Sequence, residues 1–270
     1  MKPELLMPNG MQLTNNKHIT LPQGKKAYFV SDHHFGLDSD IPSKEREKMF
    51  VKWLNIHQKN AGALFILGDM FDYWYEYKRA VPKGYVRVFG KLTEWTDAGI
   101  PVIFFTGNHD MWMWDYFQKE IGIQVYFQPE IFNINNRKFL LGHGDGLGPG
   151  DKTYKYLKKL FKNKIAQWGF RWLHPDLGLK LIKYLSQKNK ILSGEYDQQF
   201  FGEKEWLFQY AKEYLKKNQS VDYFIFGHRH LPLQMPVNEK VIYYNTGDWL
   251  VHFSYLIFDG QYISQKKFTT

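Results

Sequence analysis

Five short apolar runs, each followed at once by Asp, Asn or His residues, constrain this chain more than any other feature. The clearest run covers residues 102–106, and the quartet Gly107-Asn108-His109-Asp110 follows it. A short apolar run bounded by Gly99 and Pro101 is typical of a buried strand in a covered sheet. Open α/β sheets form their sites at the carboxyl ends of strands. A single such quartet would also suit an ordinary turn, but its repetition indicates a site.

The same order of apolar strand and polar cluster occurs four more times. We expect strands over residues 27–31, 63–67, 138–141 and 222–226. They run into the clusters Asp32-His33-His34, Gly68-Asp69-Met70-Phe71-Asp72, Gly142-His143-Gly144-Asp145 and Gly227-His228-Arg229-His230. A polar cluster after every one of these strands predicts that distant parts of the chain contribute to one site.

Helices are predicted between these strands. One begins near Ser43, which we expect to cap it, and others cover about 86–95 and 203–215. Strands and helices alternate in the first half, and the second half ends in strand-rich sequence. This order predicts an α/β fold with four layers, an α/β/β/α sandwich. We expect one domain over residues 25–270, preceded by an irregular tail of residues 1–24.

The segment of about 151–190 is expected to be a helical hairpin inserted between strands. Its apolar residues recur every three or four positions, as on one face of a helix. A break at His174-Pro175-Asp176 places a proline where a second helix can start. The apolar positions are Tyr154, Leu157, Phe161, Ile165 and Trp168 in the first helix and Leu173, Leu177, Leu181 and Leu185 around the second.

The hairpin segment also carries the net charge of the chain. Residues 151–190 hold eleven Lys or Arg and two Asp, a net charge of +9 that equals that of all 270 residues. One interpretation packs the apolar stripes on the main domain, with solvated lysines. The other is a basic amphipathic lid on an anionic membrane surface. The rest of the chain is neutral in sum, so a nucleic-acid partner is not expected.

Other bulk properties exclude several classes of protein. The chain has no cysteine, which excludes disulfides, thiolate metal sites and cysteine nucleophiles. Residues 1–24 lack the apolar core of a signal peptide. No apolar run approaches the roughly 18 residues of a membrane span. We therefore expect a cytoplasmic protein.

The strand-end clusters supply a set of metal ligands. The set has seven nitrogen or oxygen donors and no sulfur, which suits a pair of borderline divalent cations better than Ca²⁺. Asp69, at the end of a central strand, is the expected bridge. A lone buried histidine is usually structural, but five repeats of one pattern are not explained in that way. The set is Asp32, His34, Asp69, Asn108, His143, His228 and His230.

The five clusters, in this order, resemble the five motif blocks of the calcineurin-like metallophosphoesterases. The resemblance implies the four-layer fold of that family and a dinuclear metal centre, most simply with Mn²⁺, or with Fe²⁺ or Zn²⁺ as alternatives. It also implies His109 as a catalytic acid paired with Asp72. One metal would be held by Asp32, His34 and His230, the other by Asn108, His143 and His228, with Asp69 between them.

Within that family the chain resembles the branch of UDP-2,3-diacylglucosamine diphosphatases of lipid A synthesis. The likeness lies in Tyr73-Trp74 after Asp72, in the His143-Gly144-Asp145 block, and in the basic helical insertion. It implies hydrolysis of a lipid-linked UDP-sugar to UMP and 2,3-diacylglucosamine 1-phosphate. Asp151 and Tyr154 are the expected substrate contacts, and Lys188 is expected to reach a phosphate. One position departs from the branch, because His109 stands where its best-known members have Arg.

Two alternatives remain open. The first is a metallophosphodiesterase or phosphatase of the same fold that acts on a soluble nucleotide or phosphoprotein. The second is a non-catalytic membrane-binding module, which is disfavoured because no ligand position has become apolar. In the favoured interpretation the partners are the lipid substrate and the anionic inner face of the cytoplasmic membrane, to which the protein binds peripherally. The oligomeric state stays open.

Overall fold

The computed structural model describes residues 17–149, 155, 163–182, 184, 199–218 and 220–269. In these ranges the strands form two six-stranded sheets. The strands are β1 (His18–Ile19), β2 (Lys26–Val30), β3 (Ala61–Ile66), β4 (Val102–Phe105), β5 (Gln124–Tyr126), β6 (Glu130–Ile134), β7 (Arg137–Gly142), β8 (Tyr223–Phe226), β9 (Pro232–Pro236), β10 (Ile242–Thr246), β11 (Ser254–Phe258) and β12 (Ile263–Lys267). The helices are α1 (Ser43–Gln58), α2 (Val86–Asp97), α3 (Tyr116–Glu120), α4 (Lys164–Arg171) and α5 (Trp206–Lys217).

Both sheets have a parallel centre. The first sheet has the order β12-β11-β2-β3-β4-β5, and β2 to β5 run parallel. The second has the order β1-β6-β7-β8-β10-β9, and β7, β8 and β10 run parallel. Val30, Ile66 and Phe104 are in register across the first sheet. The carboxyl ends of the central strands therefore lie together at one edge of each sheet.

Three cores separate four layers. Phe50 and Trp53 of α1 pack with residues of α2 and α3 on the outer face of the first sheet. Phe29 and Phe65 stack between the two sheets with ring centroids 4.9 Å apart. Leu207 of α5 belongs to a third core on the outer face of the second sheet. The structure confirms the predicted α/β/β/α sandwich.

Some local predictions differ from the structure. Ser43 does not cap α1, because the cap residue is Pro42 and no side-chain bond is made there. The hydroxyl of Ser43 instead accepts the N–H of Gly36 at 2.7 Å, so it holds the loop after the first polar cluster. Part of the expected tail is ordered as β1, which pairs with β6. The helix expected from residue 203 begins at Trp206, after a 3-10 turn at Gly202–Lys204.

The described part of the insertion is helical. Helix α4 ends at Arg171, and a second helical segment covers 175–182, with Pro175 as its first residue. The break falls where the sequence predicted it. Within the described ranges, every helix is too short or too polar to traverse a lipid bilayer.

Candidate metal centre

Hydrogen bonds join the loops at the carboxyl ends of the strands. Between the two sheets, the Trp249 N–H donates to the carbonyl of Asp32 at 3.1 Å. Within the second sheet, the Gly227 N–H donates to the carbonyl of His143 at 2.9 Å. Ser31 Oγ lies 2.6 Å from Thr246 Oγ1. These bonds bring the clusters at the ends of β2, β7 and β8 to one place.

One group of candidate ligands consists of Asp32, His34 and His230. His230 Nε2 lies 3.2 Å from Asp32 Oδ1 and 3.2 Å from His34 Nε2. His34 Nε2 lies 3.9 Å from the same Asp32 oxygen. One nitrogen or oxygen atom from each residue therefore faces the others, an arrangement that could hold a cation.

A second group consists of Asp69, His143 and His228, with Asn108 beside them. His143 Nε2 lies 3.2 Å from Asp69 Oδ2 and 3.2 Å from Asn108 Oδ1. The other ring nitrogen of His143, Nδ1, is 2.8 Å from the carbonyl of Leu67 and donates to it. Such a contact orients a histidine and leaves Nε2 for a metal.

Asp69 connects the two groups through a single atom. Its Oδ2 is 3.2 Å from His143 Nε2 in one group and 3.9 Å from His34 Nε2 in the other. Its Oδ1 accepts the N–H of His109 at 2.9 Å. This hydrogen bond turns Oδ2 toward both groups, as a bridging carboxylate requires.

Asp32 provides a test of whether the site fits a metal. Its Oδ2 accepts the N–H of His228 at 2.9 Å and the hydroxyl of Ser31. Its Oδ1 is buried and accepts no hydrogen bond from the residues that the structure describes, although His230 Nε2 lies 3.2 Å away. A buried carboxylate oxygen without a donor is costly unless a cation meets it. The sulfur-free set of imidazole, carboxylate and amide donors suits a borderline divalent cation.

The backbone holds most of these residues in an uncommon conformation. Positive φ angles, typical of glycine, occur at five candidate ligands and cost roughly 1–3 kcal/mol each. Such conformations persist where the surrounding structure enforces them, and they cluster at functional sites. The angles are 54° at Asp32, 45° at His34, 51° at Asp69, 67° at His228 and 54° at His230.

Two glycines allow the close approach of these loops. A Cβ at Gly107 would lie 2.1 Å from Asp69 Oδ1. A Cβ at Gly68 would lie 2.6 Å from His143 Nδ1, and its φ of 91° already requires glycine. Gly68 and Gly107 therefore make room for His143 and Asp69, which are ligands from other loops.

The electrostatics of the site follow from burial and from opposite charges in contact. Burial alone would raise the pKa of Asp69, but the adjacent His143 lowers it well below the ordinary value. Burial lowers the pKa of His143, but the charge and the hydrogen bond of Asp69, together with the charges of Asp32 and Asp145, raise it to about 10. Burial, together with His143, lowers the pKa of His228 to about 4. In the metal-free site His143 thus holds a proton, which a cation would have to displace.

His109 and Asp72 lie beside the first group. His109 Nδ1 is 2.8 Å from the backbone carbonyl of Asp72 and 3.9 Å from its carboxylate Oδ1. The hydrogen bond of Nδ1 therefore goes to the backbone carbonyl of Asp72. The same Asp72 oxygen is 3.8 Å from His34 Nδ1.

Two residues that organise the site were not singled out from the sequence. Asp110 accepts the N–H of Met70 at 2.9 Å and that of Gly107 at 2.7 Å, and thereby joins two ligand loops. Burial and then the nearby Asp69 raise the pKa of Asp110 to about 8. Its place in the Gly-Asn-His-Asp quartet was a usable signal.

Arg46 of α1 is buried and donates to four backbone carbonyls around the first ligand loop. In the sequence, Arg46 looks like any other polar residue of a helix, so no sequence pattern identified it. Its acceptors are the carbonyls of His33, His34, Leu37 and Ile41.

The remaining predicted positions divide into two sets. The expected substrate contacts Asp151, Tyr154 and Lys188 lie outside the described residues. His33 is enclosed by Phe50 and Trp249, at centroid distances of 4.3 and 5.3 Å. It belongs to none of the candidate metal groups in the described part of the chain.

Comparison with known proteins bears on the whole site. The model of the calcineurin-like phosphoesterase family matches residues 25–232. A curated UDP-2,3-diacylglucosamine hydrolase from Porphyromonas gingivalis (strain ATCC BAA-308 / W83) is 36% identical to this chain. The alignment covers 87% of this chain and 94% of the length of that relative. Another, from Histophilus somni (strain 129Pt), is 30% identical, over 62% of this chain and 69% of its own.

A solved structure of Vps29 with Zn²⁺ from Entamoeba histolytica covers 89% of both chains at 14% identity, with a TM-score of 0.42, a likeness too distant to carry a conclusion. The family model spans the first ligand cluster through the last, and the fold brings all of these clusters together. The chain therefore belongs to the calcineurin-like phosphoesterase family and is a metal-dependent hydrolase.

Proposed function

We propose that this protein hydrolyses the diphosphate of UDP-2,3-diacylglucosamine to give UMP and 2,3-diacylglucosamine 1-phosphate. The metal chemistry rests on one observation, the single Asp69 oxygen that faces both groups of candidate ligands. The substrate rests on the relatives named UDP-2,3-diacylglucosamine hydrolase, one of which aligns with 87% of this chain. A water molecule attacks the phosphorus next to uridine, and no covalent intermediate is required.

The proposed centre holds two divalent cations, most simply Mn²⁺. Asp32, His34 and His230 would hold one, and Asn108, His143 and His228 would hold the other, with Asp69 between them. When bound, such ions activate water and neutralise charge on the phosphoryl oxygens. Nitrogen and carboxylate donors without sulfur suit Mn²⁺, and Fe²⁺ and Zn²⁺ are the alternatives.

His109 is the proposed acid on the leaving side. Its Nδ1–H donates to the carbonyl of Asp72, so a proton for the leaving oxygen has to come from Nε2. Donation from Nε2 requires the ring to carry a proton on both nitrogens. Asp72 orients the ring through its backbone carbonyl, and its carboxylate Oδ1 lies 3.9 Å from Nδ1.

We propose that the insertion covers this side of the site, because it contacts the loops that follow Asp72 and His109. The Tyr75 hydroxyl donates to the carbonyl of Gln167 at 3.1 Å, and Phe170 packs on Tyr75 with ring centroids 4.8 Å apart. Arg171 lies 5.0 Å from the ring centroid of Trp114. Tyr75 is three residues beyond Asp72, and Trp114 is five beyond His109. The loops that carry the proposed acid thus also hold the hairpin.

The outer face of the hairpin is apolar and exposed. Its large side chains are 43 to 77% exposed. Of the two interpretations that the spacing left open, this exposure favours the lid. Exposed apolar side chains in such number are typical of an interaction site. We propose that it shelters the acyl chains of the substrate. The residues are Ile165, Trp168, Trp172, Leu177, Leu181 and Tyr184.

The charge of the insertion favours an anionic membrane. The sequence of the insertion holds eleven Lys or Arg residues, and basic residues contribute about 1 kcal/mol each near an anionic leaflet. We propose a cytoplasmic protein that binds peripherally to the inner face of the cytoplasmic membrane. Asp151 and Tyr154, at the entrance of the hairpin, are the proposed contacts to glucosamine, and Lys188 the proposed contact to a phosphate.

The decisive experiment compares two substrates. The protein, loaded with Mn²⁺, is assayed for release of UMP from UDP-2,3-diacylglucosamine and for hydrolysis of bis-p-nitrophenyl phosphate. We expect UMP release with a far higher kcat/KM than hydrolysis of the generic diester. Activity on the diester alone would favour a phosphodiesterase that acts on a soluble substrate, the alternative suggested by His109 in place of the branch's Arg.

A further inference from the structure

Arg229 stands between two proposed ligands, His228 and His230, and its side chain is completely buried. It pairs with Glu205, which is also completely buried. Arg229 Nε donates to Glu205 Oε2 at 2.9 Å, and Nη2 donates to Oε1 at 3.2 Å. The pair is bidentate, the geometry in which a guanidinium fixes its partner most firmly.

The pair also binds the segment that leads back from the insertion. Arg229 Nη2 donates to the backbone carbonyl of Gln199, and Glu205 Oε1 accepts the N–H of Phe201 at 3.0 Å. The guanidinium carbon lies 5.4 Å from the ring centroid of Phe201 and 5.1 Å from that of Trp206, the first residue of α5. One side chain thus joins the ligand loop, the start of α5 and residues 199–201.

The energetics of such a pair indicate a role in geometry. Burying two charges costs about as much as their attraction returns, and apolar replacements of buried pairs are often neutral or stabilising. Stability alone therefore does not explain why this buried pair is present. Its surroundings show what it can enforce, because His228 and His230 have φ angles of 67° and 54°. Left-handed residues of this kind persist only where neighbouring groups hold them.

We propose that Arg229, held by Glu205, is a positioning residue that fixes the backbone of both flanking histidines. His228 lies in the group with Asp69, and His230 in the group with Asp32. Arg229 therefore controls one ligand of each metal position from a single buried anchor. The proposal rests on the metal-ligand assignment of the proposed function.

The test uses metal-stripped full-length protein titrated with Mn²⁺ in a calorimeter, together with thermal unfolding of the same samples. The double variant Glu205→Gln/Arg229→Met removes both charges and keeps an acceptor for the Phe201 N–H. We expect its metal-free Tm to stay within a few degrees of wild type. Its Mn²⁺ affinity should fall about 10- to 100-fold, the usual cost of losing support behind a metal ligand. Arg137→Met, which removes a surface pair with Asp222, is the control and should leave affinity unchanged.

Arg229→Lys keeps the charge but lacks the planar fork, and it carries the test if the double variant does not fold. We expect it to fold and to bind Mn²⁺ about tenfold more weakly. Wild-type affinity in either folded variant would overturn the proposal, as would wild-type protein that binds no Mn²⁺. The substrate assignment fails separately: wild-type protein that binds Mn²⁺ and releases no UMP refutes it and leaves the comparison of affinities intact.

Discussion

The chemistry of the centre depends on which atom each side chain leaves for a metal. His143 uses Nδ1 on Leu67 and keeps Nε2, and Asp32 uses Oδ2 on the His228 N–H and keeps Oδ1. Asp69 uses Oδ1 on the His109 N–H and keeps Oδ2. In all three, a hydrogen bond to the backbone determines which atom remains. These bonds fix the orientation of three of the seven proposed ligands.

Asp69 gives the sharpest test of the bridge. Asp69→Ala should reduce UMP release below detection and lower the metal content from two ions per chain, because two cations without a shared carboxylate repel each other. Metal content is measured by mass spectrometry of the purified protein. Asp222→Ala, on the surface near Arg137, is the matched control. A fully active variant with two bound ions would refute the bridging role.

His109 tests the assignment of the acid. His109→Ala should lower kcat by about 10²–10⁴-fold, the usual contribution of general acid catalysis. The metal content should stay near that of wild type, since we propose His109 as an acid and not as a ligand. His18→Ala, on the short edge strand β1, serves as the control. Loss of metal would show that His109 is itself a ligand.

Among the helices, α1 carries a pH-sensitive contact remote from the centre. His57 packs on Tyr28 and Trp53 with ring centroids 4.8 and 4.9 Å away. Burial, and then Lys26, lowers the pKa of His57 below its ordinary value of 6.5. The neutral ring is therefore the folded form. Its contribution to stability is complete above pH 6.5 and is lost as the pH falls toward the lowered pKa, since the unfolded chain then binds the proton more readily.

The variant His57→Gln should remove that dependence. The difference in free energy of unfolding between wild type and variant is measured by denaturant titration from pH 8 to pH 5. Wild type should lose stability relative to the variant as the pH falls below about 6.5. Parallel curves over the whole range would mean that His57 does not titrate on unfolding as proposed.

The helical insertion is the other element whose role can be isolated. Trp168 and Trp172 are 63 and 75% exposed, with ring centroids 6.0 Å apart. Trp168→Ser/Trp172→Ser should weaken sedimentation with anionic vesicles and raise KM for the lipid substrate about tenfold or more. Turnover of bis-p-nitrophenyl phosphate should not change.

The matched control is Tyr262→Ser, which removes an aromatic side chain that is 72% exposed and lies between β11 and β12. Binding of wild type to the vesicles should require anionic lipid and weaken with salt, because the attraction is partly electrostatic. Equal losses on the lipid and the soluble diester would show that the tryptophans are only structural.

The metal centre also joins the two sheets, so its occupancy should affect the stability of the protein as a unit. We propose that residues 25–270 form a single folding unit. A ligand that binds only the folded state contributes about 2.7 kcal/mol at a hundred times its Kd. For a domain of this size that corresponds to roughly 5 to 10 °C in Tm. Chelation should therefore lower Tm by that amount in one cooperative transition.

Calorimetry with and without Mn²⁺ measures this shift, and Asp69→Ala is the internal comparison, since its shift should be smaller. Two separate transitions would contradict a single folding unit. A Tm that does not respond to chelator or to added Mn²⁺ would contradict a metal centre between the sheets.

Much of the fold and the candidate site could be predicted from the sequence because their signals are local. The five apolar runs and the glycine-led clusters behind them lie within stretches of about ten residues, and the hairpin break at Pro175 is equally local. Strand ends have to meet at the edge of a parallel sheet. The donor set, its lack of sulfur and the four-layer class followed from such patterns.

Other features were decided only by tertiary structure, since they depend on residues far apart in the chain. Ser43 has the sequence context of a helix cap, yet its hydroxyl accepts the Gly36 N–H. The apolar stripe of the insertion has the spacing of a buried face, yet Trp168 is exposed and Phe170 makes the contact with Tyr75. Helical periodicity identifies an apolar face, but whether that face is buried depends on which surface the rest of the chain presents to it.

The sequence likewise could not predict which atom of each side chain faces the metal site. The burial of Arg229 against Glu205 depends on two segments 24 residues apart. The orientation of Asp69 depends on the His109 N–H, 40 residues away. The sequence by itself determined which residue types meet at the centre. The tertiary structure decided which atom each one presents, because hydrogen bonds between distant backbone segments fix the orientation of each side chain.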